Sequence, residues 1–179
     1  MEILKTNLED VLIIKPTVFP DSRGFFLETY NKARYQDFGI PVTFVQDNHS
    51  RSSKGVLRGL HFQINNPQGK LVSCLRGSVF DVAVDINPNS PNYGEYFGIE
   101  LSEHNQYQLW IPPGYAHGFY VLSDIADFNY KCTDYYFPGD QGGIIWNDKL
   151  INIEWPSKNP ILSEKDSRNP GLEELNDKK

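Results

Sequence analysis

The chain has 179 residues, and 17 Lys+Arg against 23 Asp+Glu give it a net charge of −6. Hydrophobic residues at 39% and charged residues at 22% are the balance of an ordinary globular protein, and this length commonly forms one domain that buries about 70% of its unfolded surface. The acidic balance argues against DNA, RNA or an anionic membrane as the main partner, because each of these selects a basic footprint.

Taken in chain order, the N-terminal MEILKTNLED lacks the apolar core of a signal peptide. Strands are expected at Val11–Phe19, Phe25–Tyr30, Val42–Gln46, Gly55–Gln63, Lys70–Leu75, Ser78–Ile86, Tyr96–Leu101, Gln106–Ile111, Gly118–Leu122, Asp127–Tyr136 and Ile151–Trp155. The separations hold Gly, Pro, Asn, Asp or Ser, the residues that supply turn geometry. Ser78–Ile86 has the clearest period of two, with Phe80, Val82, Val84 and Ile86 alternating with the more polar set Val79, Asp81, Ala83 and Asp85. Asn31–Phe38, stopped by Gly39-Ile40-Pro41, reads as a short helix, and Lys165–Leu175 holds another turn or two. The polar end, Asn176–Lys179, is expected to fray. No apolar run reaches the 18 or so residues of a membrane-spanning helix, and no linker or internal repeat is visible. Cys74 and Cys132 cannot build a disulfide framework and read as free thiols of a reducing cytoplasm. Many short strands at roughly ten-residue spacing predict an all-β sandwich or barrel, with residues 1–179 as one domain.

Two of the four histidines sit in suggestive surroundings. His61 follows Gly55 in GVLRGLHFQ, and His117 closes Pro112-x-Gly114-x-x-His117. The pair resembles the two signature motifs of the cupin barrels, antiparallel jelly rolls. A metal-binding cupin would carry a second histidine and a carboxylate in the first motif. Here those places read Gln63 and Pro67-Gln68, a poor ligand set for a divalent metal.

The blocks around these histidines narrow the resemblance. Asp21-Ser22-Arg23-Gly24-Phe25-Phe26-Leu27-Glu28, Gln46-Asp47-Asn48-His49-Ser50 and Gly55-Val56-Leu57-Arg58-Gly59-Leu60-His61-Phe62-Gln63 are similar to the dTDP-4-dehydrorhamnose 3,5-epimerase family. The similarity continues through Pro67-Gln68-Gly69-Lys70, Ala116-His117-Gly118-Phe119, Tyr130-Lys131-Cys132-Thr133-Asp134-Tyr135-Tyr136 and Ile161-Leu162-Ser163-Glu164-Lys165-Asp166, in family order over about residues 5–170. The resemblance implies a cupin-type barrel with short peripheral and C-terminal helices, no metal and no cofactor. It also implies a cytoplasmic homodimer acting in dTDP-L-rhamnose synthesis for surface polysaccharide.

Inverting a carbon beside a ketone takes a base of near-neutral pKa, a cation or donor for the enolate oxygen, and an acid on the other face. Histidine has the unperturbed pKa for the base. The resemblance assigns the base to His61, its orienting carboxylate to Asp166, the enolate's cation to Lys70 and the acid to Tyr130. It places the diphosphate against Arg23, Arg58 and Lys165, whose charges suit phosphate oxygens. It places the nucleotide against Glu28, Gln46 and Asn48, with Tyr136 stacked on thymine and His117 near the sugar or diphosphate. Arg23, Phe26 and Glu28 would reach the site of a partner subunit. Gln141 stands where the family often has an acid, and Asn65-Asn66-Pro67 makes a short turn before Lys70.

Strand parity offers an internal check. Alternation puts Lys70, Val72 and Cys74 on one face, likewise Phe128, Tyr130 and Cys132, and likewise His117, Phe119 and Val121. Leu57, Gly59, His61 and Gln63 also share a face, which turns Arg58 away from His61. A β-bulge near Gly59 is therefore predicted, since the extra residue re-aims the side chains beyond it. Three other activities remain open on these residues: inversion at C3 or C5 alone, a 3,4-keto shift, or sugar binding without catalysis. An oxygenase with a metal is disfavoured by Gln63.

Overall fold

The computed structural model describes residues 1–40 and 43–176. Its strands are β1 (Glu2–Lys5), β2 (Leu12–Lys15), β3 (Val18–Asp21), β4 (Gly24–Leu27), β5 (Gln46–Ser53), β6 (Leu57–Gln63), β7 (Lys70–Arg76), β8 (Ser78–Asp85), β9 (Tyr96–Ser102), β10 (Gln108–Ile111), β11 (Tyr115–Val121), β12 (Ile125–Cys132) and β13 (Gln141–Gly143). Helix α1 spans Lys32–Gln36 and α2 spans Leu172–Asn176, with 3₁₀ turns at Pro138–Asp140 and Asp166–Arg168. The Asn31 side chain caps α1 by accepting from the Arg34 N–H, so the predicted helix starts where its capping residue says it should.

The strands pair antiparallel into a six-stranded sheet of order β1-β2-β10-β7-β12-β5 and a five-stranded sheet of order β13-β6-β11-β8-β9, while β3 and β4 form a separate hairpin. The fold is the cupin-type jelly roll that the sequence predicts. Between the sheets lies a core that includes Val72, Cys74, Leu109, Phe119, Val121 and Phe128. Behind the five-stranded sheet, Leu60, Val82, Val84 and Ile144 pack under Ile151 and Leu172. Beyond the six-stranded sheet, α1 contributes Tyr35 to a third cluster with Ile14, Ile40, Leu71 and Trp110. No helix among the described residues is long and apolar enough to cross a membrane.

Several expectations need correction. Ile151–Trp155 is not a strand: its apolar residues cover the outer face of the five-stranded sheet as irregular chain. The strand expected at Val42–Gln46 lies further on, because β5 begins at Gln46; Val42 itself, Pro41 and residues 177–179 lie outside the described residues. β11 begins at Tyr115 rather than Gly118, and β1 and β13 were not anticipated. In β8 the more polar face, Val79, Asp81 and Ala83, is the one turned into the barrel, while Phe80, Val82 and Val84 face the outer cluster. A barrel whose interior opens into a polar cavity reverses the usual inference that the apolar face is the inner one.

The predicted bulge is present. His61 pairs with His117 and Arg58 with Phe119, so three steps along β6 match two along β11. The register shift sets Arg58 and His61 on the same side of the sheet and sends Leu60 to the outer cluster, where it is fully buried. Gly59 permits this with φ +127°, and a Cβ there would lie 2.6 Å from Gly118 Cα and 2.8 Å from the His117 carbonyl oxygen. These are backbone atoms of a central strand and cannot step aside. Gly59→Ala is expected to destabilise the fold by about 2–4 kcal/mol, measured by urea unfolding.

Candidate active site

One end of the barrel opens into a cavity of about 460 Å³. Its walls bring together His61, Lys70, Tyr130 and Asp166, with Arg58, His117 and Lys165. His61 comes from β6 in the five-stranded sheet, whereas Lys70 and Tyr130 come from β7 and β12 in the facing six-stranded sheet. The floor is apolar, with Phe128 stacked on Phe119 at 4.2 Å and on His117 at 5.9 Å between ring centroids.

His61 Nε2 lies 2.6 Å from Asp166 Oδ1, and the Asp166 side chain is only 5% exposed. Burial pushes this carboxyl up, but the His61 hydrogen bond and charge, with Ser163 and the Gly59 backbone, outweigh burial and hold it below the usual range. An ionised carboxylate only accepts, so Nε2 carries the hydrogen and Nδ1 is left as the basic nitrogen. The 3₁₀ turn at Asp166–Arg168 delivers this residue, and a backbone bond from Leu57 N–H to the Ile161 carbonyl ties the same segment to β6.

Lys70 is driven below its ordinary pKa by burial, with Cys132 and Asp81 acting in the opposite direction. Among the described residues no carboxylate pairs with its ammonium, so its charge is left for whatever enters the cavity. Tyr130 is pushed above its ordinary pKa, chiefly by burial, which keeps the phenol protonated at neutral pH. His117 is oriented from behind, its Nε2 lying 2.9 Å from Asp81 Oδ2 in a buried pair. Cys74 and Cys132 are buried thiols pushed up to about 12 and about 11 by burial, which leaves them unreactive.

At the mouth, Gln141 Oε1 accepts from both Tyr136 Oη and Lys165 Nζ, each at 2.8 Å. Gln46 accepts from the Tyr136 backbone N–H and donates to Asn48, which in turn points at Cys132 Sγ. Gln63, standing where a metal-binding cupin has a histidine, is instead committed to the loops: its amide donates to the Asn66 and Tyr135 carbonyls and accepts from Phe137 N–H. The short turn before Lys70 is fixed by Asp140, which accepts from the backbone N–H groups of Asn65 and Asn66. No group of three or more His, Cys, Asp and Glu side chains that could hold a metal occurs among the described residues.

Three expected substrate contacts lie elsewhere on the chain. Arg23 caps the β3–β4 turn against Asp21, Phe26 stands 69% exposed on β4, and Glu28 pairs with Arg34 of α1. Sequence reasoning in turn missed Ser50, Ser52 and Asp81. The first two lie in Gln46-Asp47-Asn48-His49-Ser50-Arg51-Ser52, a run with no apolar residue and so no hydrophobic period to mark it as a strand.

Residues 5–174 match the family described as dTDP-4-dehydrorhamnose 3,5-epimerase. The chain is 57% identical to the dTDP-4-dehydrorhamnose 3,5-epimerase of Escherichia coli over 98% of its own length and 96% of that protein's. The chain belongs to the dTDP-4-dehydrorhamnose 3,5-epimerase family. It is accordingly an enzyme of the isomerase class. The epimerase also superposes on solved relatives. With the Legionella pneumophila dTDP-6-deoxy-D-glucose-3,5-epimerase, solved in complex with dTDP-4-keto-L-rhamnose, the TM-score is 0.94 at 51% identity, covering 96% of this chain and 93% of that one. With the Bacillus anthracis 3,5-epimerase, solved with TDP and pyrophosphate bound, it is 0.93 at 42% identity, covering 95% and 98%.

Proposed function

We propose that this epimerase inverts C3 and C5 of dTDP-4-dehydro-6-deoxy-D-glucose to give dTDP-4-dehydro-L-rhamnose, with His61, Asp166, Lys70 and Tyr130 as its catalytic set. The observation that carries the reading is the placement of His61 on one sheet, held by Asp166 of the adjoining 3₁₀ turn, and of a protonated tyrosine on the facing sheet, around one cavity. His61 Nδ1 takes the proton from the carbon beside the ketone. The electron pair moves onto the C4 oxygen, where the unpaired Lys70 ammonium meets the enolate charge. Tyr130 returns a proton from the other face, and the same cycle at the second carbon completes the double inversion. His61 and Tyr130 are restored by exchange with solvent.

Arg58 and Lys165 hold the diphosphate, Tyr136 stacks on the thymine, and Gln46 and Asn48 fix the nucleoside. Gln141 spaces the stacking ring from the Lys165 cation by accepting from both. NMR of the dTDP-4-keto sugar in D₂O tests the reaction: deuterium at C3 and C5 is expected, uptake at one carbon makes the enzyme a single-centre epimerase, and none refutes epimerisation.

Lys70 gives a prediction of opposite sign for activity and stability. Lys70→Met should cost about 10²–10³-fold in kcat and stabilise the fold by about 1 kcal/mol, since a partly buried ammonium without a carboxylate partner is removed. The folded state holds the Lys70 proton less tightly than the unfolded state. The wild type should therefore gain on Lys70→Met as pH rises from the lowered folded value towards about 10.4. Urea unfolding between pH 7 and pH 10 reads the difference.

The assembly is a homodimer in this reading. Supporting it, the β3–β4 hairpin stands outside both sheets with Phe19, Phe25 and Phe26 more than half exposed. β5 is likewise an edge strand with one side unpaired by any other strand. A partner's hairpin, carrying its Arg23, Phe26 and Glu28, would cover such an edge and complete the pocket. Sedimentation of Phe26→Asp should show loss of the dimer together with loss of activity. A cytoplasmic place, supplying a rhamnosyl donor for surface polysaccharide, fits the two unpaired thiols and the nucleotide-linked substrate.

A further inference from the structure

The inner face of β5 is polar along its whole length: Gln46, Asn48, Ser50 and Ser52 point into the barrel at every second residue. Three of these four side chains are engaged. Gln46 and Asn48 bond to each other and to the Tyr136 backbone and Cys132, and Ser52 Oγ accepts from Arg58 Nε at 3.0 Å. That last bond holds the guanidinium by its inner nitrogen, and Arg58 lines the cavity. Ser50 is the exception. Its Oγ is buried, it lines the cavity, and it has no hydrogen-bond partner among the described residues. Its cross-strand neighbour is Phe128, whose ring offers none. A buried hydroxyl without a partner costs about 1–3 kcal/mol, a cost that a ligand oxygen would remove.

The position of Ser50 along the strand says which part of a ligand that is. The next inward residue, Ser52, holds Arg58, and the preceding one, Asn48, pairs across to Tyr130. We propose that Ser50 Oγ is a substrate contact and specificity determinant, hydrogen-bonding an oxygen at the junction of the diphosphate and the hexose. The inference rests on the reading of Arg58 as the phosphate cation and Tyr130 as the acid. Two oxygens meet the description: one on the phosphate joined to the sugar, and the hydroxyl of the adjacent sugar carbon.

The test compares wild type, Ser50→Ala and the near-isosteric Ser50→Cys, measuring kcat and KM on the dTDP-4-keto sugar, the Kd of dTDP alone, and Tm. On an edge strand neither change should disturb folding. Both variants should lose about tenfold in kcat/KM, carried by KM, which is about what a neutral hydrogen bond is worth, and neither should lower Tm. A parallel rise in the Kd of dTDP supports the inference with a phosphate oxygen as the contact, and an unchanged Kd supports it with the sugar hydroxyl. A kcat/KM within about twofold of wild type for Ser50→Ala overturns it while the epimerase reading stands. A wild type that takes no deuterium from solvent overturns that reading and this inference together.

Discussion

Replacing His61 by alanine is expected to lower kcat by about 10²–10⁴-fold and to remove deuterium uptake at C3 and C5 together. Both exchanges are expected to depend on His61 Nδ1, because Asp166 holds the ring by Nε2 and leaves that nitrogen basic. The other cavity histidine, His117, sits deeper, bound to Asp81 and stacked on Phe128. If His61→Ala kept exchange at either carbon at the wild-type rate, the base would lie elsewhere. Asp166→Asn should act in the same direction, since an amide can donate to Nε2 and reverse the tautomer. It also has a signature in stability. The Asp166 carboxyl is held below its unfolded value, so its bond to His61 stabilises the fold above about pH 4. That contribution is lost as pH falls through the lowered value. Urea unfolding from pH 7 to pH 3 should therefore show a shallower acid loss for Asp166→Asn than for wild type.

Tyr130→Phe is expected to separate exchange from inversion. With His61 and Lys70 intact, the proton beside the ketone is still removed and returned on the face it left. Deuterium therefore enters the unreacted sugar while product falls by about 10²–10⁴-fold. Phenylalanine keeps the ring against Phe128 and removes only the hydroxyl, so the packing of β12 is preserved. NMR in D₂O reads both quantities in one sample. Full product formation by Tyr130→Phe would remove the phenol from the mechanism.

These residues were legible from the sequence because motif spacing survives folding, while the strand that completes the cavity was not. β5 reads QDNHSRSS, without one apolar residue, and periodic hydrophobicity cannot find a strand whose inner face lines a wet cavity and whose outer face carries polar groups such as Arg51, paired to Asp127. The reverse error occurred at Ile151–Trp155, where apolar alternation marks a covering segment that never joins a sheet. Parity was more informative than propensity. The conflict between Arg58 and His61 could be resolved only by one extra residue, and the shifted register at Gly59 supplies it. The hairpin contacts resisted in another way: Arg23, Phe26 and Glu28 lie on a part of the chain outside both of its own sheets.

That detached hairpin has a genetic consequence on the proposed assembly. If each pocket takes its base from one chain and its outer arginine from the other, two defective alleles can rescue one another. A chain with Arg23→Ala and a chain with His61→Ala, each inactive with itself, would form mixed dimers in which one of the two pockets has every part. A cell carrying both would epimerise the keto sugar although neither of its proteins can do so alone.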